Sequence, residues 1–505
     1  MSQTGTRTGR EAARPGQAVR IIQAGPASLE ELVGTLAGAS GGRLADLFGA
    51  MEDGVLVLRI VYALDRDGEY VVVEWPMEGR EYPPVSKIDP AAFVEECEIY
   101  EQFGVRPSGP VLLNRLVVPP HAGHDFPRLG APPPREGRQP HAPHYVSGEA
   151  FEFPFGPVRA VGQESLYMGL VTSGEEVIDL FLLQWHKHRA IERRLQGLSL
   201  EKALFIVERA EGLSAVANTW AFCQAAETIA GVTVPEAAQA GRAIALELER
   251  LYNHAAAIAA VCQATGLSVG QAQAEVALEK FLRLNLACFG HRYLFGVITM
   301  GGISRSPDVH ALFQLLPPAH DELRRVVDAL WSTNSFMDRL EACGVVNHEQ
   351  AQRLALVGPV ARGSGCGSDT RRDHPYGPYG RLGDGSLNVA VQEKGDVLAR
   401  MRVMAAESEE SRRLLLGLAD AGAGETVTEV RGQAGAALGW CESPRGESLA
   451  WLSLDDAGFV QRARLRPGSF RNWRAFDDAA RSRNVFTDIP IIEASFWLTV
   501  AGFAR

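Results

Sequence analysis

Between residues 235 and 266 the chain reads PEAAQAGRAIALELERLYNHAAAIAAVCQATG. It is rich in Ala and Leu, with Pro235 placed for the first helical position and Gly266 for the residue past the C-cap. The spacing predicts one helix of about eight turns that is apolar around most of its circumference. Such a helix is stable only when other elements cover it on every side. The chain must therefore supply a layer of further helices, and helical spacing recurs at 199–230, about 270–297, 318–343 and about 391–420.

The remainder is mixed. Residues 28–38 (SLEELVGTLAG) read as a helix with Ser28 as N-cap, and VLVLRIVYAL (55–64), DRDG (65–68) and EYVVVEW (69–75) as a hairpin. DPAAFVEECEIYEQFG (89–104) opens a second helix with Asp-Pro. Between 107 and 143 lie 10 of the 28 prolines, and no periodic pattern survives. Residues 164–183 read as strands with a turn at Ser173-Gly174, and 426–505 as strands and irregular loops. The expected organisation is a disordered tail (1–18), an α/β module (19–117), a Pro-rich linker (118–148) and a mainly helical region (149–505), an α+β chain as a whole.

Composition removes several functions. The net charge of −11 argues against nucleic acid as a partner, because phosphate binding needs clustered Lys and Arg. No uninterrupted run of 18 apolar residues is present, and the polar start MSQTGTRTGREAARPGQA has no signal-peptide core. The seven cysteines, Cys97, Cys223, Cys262, Cys288, Cys343, Cys366 and Cys441, lie at least 23 positions apart. That scatter favours reduced thiols in a cytoplasmic protein over a disulfide framework or an iron–sulfur cluster held by local spacing.

Several segments carry a family resemblance. EECEIYEQFGV (95–105) resembles the C (30-kDa) subunit of bacterial NADH-quinone oxidoreductase, respiratory complex I. From 149 onward, GPV (156–158), HKHRAIE (186–192), VER (207–209), ELERLYNH (247–254), GHRYLFGVITMGG (290–302), GPVARGSG (358–365), DTRRDHPY (369–376), GDVLARMRV (395–403), SPRGE (443–447) and RLRPGSFRNW (464–473) follow in order. They resemble the D (49-kDa) subunit of complex I and, more closely, the large subunit of formate hydrogenlyase and hydrogenase-4, membrane-bound nickel–iron hydrogenases in which both regions share one chain. The resemblance implies an α/β C-subunit-like module joined to a hydrogenase-large-subunit-like helical core with peripheral strands.

It also implies a chemistry whose ligands are missing. A nickel–iron centre needs four thiolates from two CxxC pairs. The first pair follows an acidic-Arg dipeptide, here Glu208-Arg209, and its positions fall on Glu211 and Ser214. The second falls on Thr499 and Gly502 near the C-terminus. The chain is therefore expected to bind no metal. In the D subunit the vacated cavity forms part of a quinone pocket beside a small subunit carrying a [4Fe–4S] cluster. The quinone-site His and Tyr do not carry over, since GPVRAVGQES (156–165) has no histidine and the tyrosine position is Gly212. Arg159, Gln163 and Ser214 are the nearby substitutes.

The other candidates carry two readings each. His188, Arg189 and Glu192 fit within about one helical turn, and Glu249 and His254 lie on the long helix. They are candidates for a proton relay or for structural ion pairs. Arg362, Asp369, Arg371 and His374 would form the polar wall of a cavity lined by Glu208, Arg209, Glu211 and Ser214. Cys366 beside Arg362 and Arg371 is either an activated or a plain thiol, and HAGH (121–124) and HAPH (141–144) are either zinc ligands or solvated loop. GSGCGS (363–368) lacks the lysine of a phosphate loop, so NADH would bind another subunit.

Two functions follow. In the first, the chain is a cytoplasmic, peripheral subunit on the inner face of the membrane. It sits against an iron–sulfur small subunit like the complex I B subunit, and beside integral membrane subunits, in electron transfer that reaches a quinone. In the second, it is a structural subunit whose cavity is filled by Trp497, Phe496 and Trp220.

Overall fold

The computed structural model describes residues 18–25, 28–111, 113, 116–118, 128–130, 150–159, 164–381, 386–418, 424–481 and 483–505. The tail before residue 18, most of the Pro-rich linker with both histidine pairs, and Gln163 lie outside them.

Near the N-terminus a four-stranded sheet runs in the order Ala18–Gln23, Glu69–Pro76, Val55–Leu64, Gly42–Glu52, with only the first pair parallel. The hairpin expected at 65–68 closes with Gly68 at φ 66°. Val55–Leu64 is apolar on nearly every residue because both faces are covered. Ile60 and Tyr62 face the module's own helices, whereas Val61 and Ala63 join the main core. The module's helices are Leu29–Gly38 and Phe93–Phe103. Asp89 caps as expected, accepting from Ala91 N, but Ser28 does not cap: its hydroxyl turns back to the Gly25 carbonyl.

The long helix forms over Glu236–Ala264 and is buried along almost its whole length. Pro235 sits at the N-cap, one position earlier than expected, and Gly266 takes the left-handed conformation at φ 75° past the C-cap. Around it pack Ser268–Phe289, Val397–Leu418, Ile489–Phe496 and Ala215–Ile229.

Two helical stretches differ from the sequence reading. The expected helix 199–230 breaks into Leu200–Val207 and Ala215–Ile229, because Glu211 adopts extended backbone (φ −140°, ψ 92°) to turn its side chain inward. The expected helix 318–343 instead starts at Val309, capped by Asp308, runs through Pro317 and Pro318, and ends at Trp331.

A meander of three strands follows, Gly435–Ser443, Gly446–Leu454 and Val460–Arg466. The end of the chain is helical and not irregular, with Gly468–Arg481, Ile489–Phe496 and Val500–Phe503. Arg464–Asp46 (2.8 Å), Arg43–Glu447 (2.6 Å) and Arg471–Glu95 (2.6 Å) fasten the N-terminal sheet module to this part.

Candidate functional site

The four positions that lack cysteine converge. Glu211 lies in the extended segment before the helix Ala215–Ile229, Ser214 at the N-cap of that helix, and Thr499 and Gly502 on the last helical turn. Thr499 Oγ1 donates to Glu211 Oε1 at 2.5 Å, and Ser469 Oγ donates to the same oxygen at 2.6 Å. Thr499 also caps its own turn, accepting from Gly502 N at 3.0 Å. Glu211 and Ser214 are completely buried.

A fifth residue organises the site, and the sequence reading did not single it out. Arg445 stands at the tip of the two-residue turn between buried strands Gly435–Ser443 and Gly446–Leu454. Gly446 makes this turn at φ 111°, where a Cβ would lie 2.5 Å from the Gly358 nitrogen. From there Arg445 Nη1 donates to Ser214 Oγ (2.9 Å) and Nη2 to Asn253 Oδ1 (3.2 Å), while Nε lies 3.9 Å from Glu211 Oε1. The clue was present in SPRGE: an arginine between two strands that are buried on both faces has nowhere to point but inward. Asn253 also accepts from Trp497 Nε1 at 3.0 Å, and Trp497 adopts φ 53°, a left-handed backbone that costs a non-glycine residue about 1–3 kcal/mol.

The donor set does not fit nickel and iron. It offers one carboxylate, two hydroxyls and no thiolate, and soft bimetallic centres require thiolate bridges. The space is also taken: a Cβ on Gly502 would lie 2.8 Å from Glu211 Oε1 and 2.9 Å from Thr499 Oγ1. Of the three aromatic fillers expected, only Trp497 touches the site. Trp220 packs on Tyr376 (5.0 Å), and Phe496 on Phe476 (5.7 Å) and the Arg400 guanidinium (4.4 Å).

The other expected residues separate into distinct groups. Glu208 pairs with Arg209 (2.6 Å) and accepts from Gly296 N, and Arg209 lies over the Phe205 ring at 3.7 Å, 41% exposed, so neither contacts the remodelled centre through its side chain. Arg159 is held in a two-point pair by Glu493 (2.7 and 2.8 Å). His188, Arg189 and Glu192 do not share a helical turn, because Ala190 at φ 53° breaks the run and the helix begins at Ile191. Burial lowers the His188 imidazole to about 4, so it is neutral at pH 7. Arg189 donates to the Arg209 (3.1 Å) and Ala501 (3.2 Å) carbonyls, and Glu192 binds Arg462 (2.7 Å) and Arg505 (2.9 Å). His374 lies at the junction with the N-terminal module, on Asp65 at 3.0 Å with its ring against Tyr70. Cys366 is not activated: burial raises its thiol to about 11.

Arg362, Asp369, Arg371 and His254 belong to a buried ionic network whose acidic centres, Glu247, Glu407 and Glu442, the sequence reading passed over. Glu247 accepts from Arg371 (3.0 Å), Arg250 (3.3 Å), Tyr379 OH (2.5 Å) and Ser411 Oγ (2.6 Å). Glu407 holds Arg362 (2.8 Å) and His254 (2.8 Å), and Arg362 continues to Glu442 at 3.0 Å. Burial opposes ionisation here, yet the facing guanidiniums hold Glu247 and Glu407 down at about 2. Each folded-state value lies below the unfolded one of 4.5, so the stabilisation is fully present above about pH 4.5 and is lost as pH falls toward 2. Chemical denaturation repeated from neutral pH downward should show stability dropping steeply in that window. A flat profile there would mean that these carboxylates are solvated.

Residues 276–426 match the family model described as respiratory-chain NADH dehydrogenase, 49 Kd subunit. Formate hydrogenlyase subunit 5 of Escherichia coli (strain K12) is 30% identical over 495 residues, which span 92% of this chain and 85% of the relative. Hydrogenase-4 component G of the same organism is 26% identical, spanning 86% of this chain and 79% of the relative. Among solved structures, the membrane-bound sulfane sulfur reductase, an archaeal respiratory membrane complex, contains a chain that is similar in fold at TM-score 0.66 and 22% identity, covering 72% of this chain and 100% of that one. No described helix is long and apolar enough to cross a membrane.

Proposed function

The chain belongs to the family of formate hydrogenlyase subunit 5, and on that footing we propose that it is a peripheral, cytoplasmic subunit of a membrane-associated oxidoreductase of the complex I and formate hydrogenlyase type, without hydrogen chemistry of its own. The likeness to subunits of such complexes supports, as its neighbours, an iron–sulfur small subunit carrying a [4Fe–4S] cluster and integral membrane subunits. Quinone is the proposed electron acceptor, and any NADH binds another subunit. The observation that carries this reading is that the four expected thiolate positions hold Glu211, Ser214, Thr499 and Gly502, locked together with Ser469 and Arg445.

The structural-subunit reading has its own support in the tight packing of Gly502 against Glu211. A quinone headgroup would have to displace Glu493 from Arg159 or Arg445 from Ser214 to gain a donor. Purifying the intact complex, measuring its metals, and following reduction of quinone and dye by formate, H₂ and NADH tests the reading. Iron without stoichiometric nickel, and no H₂-dependent reduction, are expected; one nickel per chain overturns it. Binding of a quinone analogue that is abolished by Ser214→Ala would favour the redox role over the structural one.

A further inference from the structure

One stretch of surface holds aromatic rings in water. Phe205, near the end of the helix Leu200–Val207, is 61% exposed, more than any other aromatic side chain among the described residues. Leu200, Ala203 and Val207 turn to the core, and Phe205 stands on the opposite side of the helix. The Arg209 guanidinium lies 3.7 Å over its ring and 5.3 Å over that of Phe295, and His291 stacks on Phe295 at 5.2 Å. The rungs of this ladder are fixed. Arg209 Nη1 donates to Glu208 Oε2 (2.6 Å) and to the Phe205 carbonyl (3.0 Å), and Glu208 in turn accepts from Gly296 N. His291 Nδ1 accepts from Tyr293 N (3.1 Å) and Phe295 N (3.2 Å). Tyr293, 41% exposed, rests edge-on against buried Tyr252 at 6.0 Å. Aromatic rings and arginine carry much of the affinity in protein interfaces, and a set already rigid loses little side-chain entropy when covered.

The charge around the ladder is unlike that of the chain as a whole. Between 186 and 209 the exposed charged side chains are Arg193, Arg194, Lys202 and Arg209 against Glu201 alone, in a chain of net charge −11. The other two acids of this stretch, Glu192 and Glu208, are buried. Lys202 precedes Phe205 by one helical turn and shares its face. The Arg209 guanidinium is 41% exposed, and among the described residues its Nε and Nη2 have no hydrogen-bond partner, which leaves one edge of the fork for a carboxylate. A second copy docked across a two-fold axis would set these cations against each other. Insertion into a membrane needs a broad apolar face, whereas the helix Leu200–Val207 has eight residues and Phe205 alone of its apolar side chains is exposed.

We propose that this ladder docks a protein partner whose own face is acidic and carries an apolar pocket for the Phe205 ring. The inference rests on the assembly reading above in taking that partner to be a subunit of the complex. In the docked state Phe205 and Tyr293 leave water, one partner carboxylate meets Arg209, and another lies within reach of Lys202. The aromatic anchor supplies the affinity, and the cations select an acidic partner over a neutral one.

Hydroxyl-radical footprinting of the intact complex and of the full-length chain alone tests the docking. Phe205 and Tyr293 should be oxidised in the lone chain and protected in the complex, and a carbodiimide should join Lys202 to a carboxylate of the partner. Phe205→Ala and Lys202→Glu change exposed side chains, so both variants should fold. Phe205→Ala should weaken retention of the partner at least about tenfold. Lys202→Glu should weaken it more at low salt than at high salt. A chain that purifies with no other subunit overturns the assembly reading and this inference together. A complex in which Phe205 and Tyr293 are oxidised as fast as in the lone chain overturns the inference alone. So does a chain that both substitutions release from phosphatidylglycerol vesicles while its partner subunits stay bound, which would assign the surface to lipid.

Discussion

Replacing Glu247 by alanine is expected to cost about 3–5 kcal/mol of stability, the range seen when one member of a buried ion pair is removed. Glu247 is the shared counter-ion of Arg250 and Arg371 and accepts the hydroxyls of Tyr379 and Ser411. Without it the two guanidiniums face each other at full burial, and two hydroxyl donors lose their acceptor. Arg371 keeps Asp369 at 2.7 Å, but Arg250 keeps mainly the Glu442 (2.7 Å) and Ser443 (3.1 Å) carbonyls. The loss should appear as a lower denaturation midpoint with an unchanged slope. Glu247→Gln, which retains the shape and one acceptor oxygen, should lose less. A Glu247→Ala cost below about 1 kcal/mol would place the network in the class of surface pairs and contradict its burial.

The second large effect is expected at the smallest residue of the remodelled centre. Gly502→Ala puts a methyl 2.8 Å from Glu211 Oε1 and 2.9 Å from Thr499 Oγ1. A carboxylate at the end of a flexible side chain would usually swing aside. This one is pinned by Ser469 at 2.6 Å and Thr499 at 2.5 Å, so overpacking should cost about 1–3 kcal/mol. The two substitutions should be coupled: in a Glu211→Ala background the methyl meets only Thr499 Oγ1, released from its carboxylate acceptor, and the Gly502→Ala cost should fall. Additive costs in a double-mutant cycle would show that Glu211 does not occupy the vacated ligand space.

The long helix and the hairpin at 65–68 were legible because their signals are local. A turn residue, a cap or a 3.6-residue period lies within a few positions of what it controls. The break at Glu211 was not legible. Local spacing favours a continuous helix across 199–230, and what overrides it is a carboxylate bonded to Ser469, 258 positions away. The single helical turn expected for His188, Arg189 and Glu192 did not form, for a related reason. Glu192 finds its cations at Arg462 and Arg505 and Arg189 its acceptors at the Arg209 and Ala501 carbonyls, and the backbone turns at Ala190 between them.

By itself, the sequence determined that no thiolate stands at the four positions that the family resemblance marks, because ligand identity is a property of residues and they read Glu211, Ser214, Thr499 and Gly502. It also determined that a buried helix would stand at the centre of the molecule. Only the tertiary structure decided that those four positions meet and that Arg445 and Ser469 close the space between them. The physical reason is that burial makes every charge seek a partner, and the partners available are those the fold brings within about 3 Å, however far apart they stand along the chain.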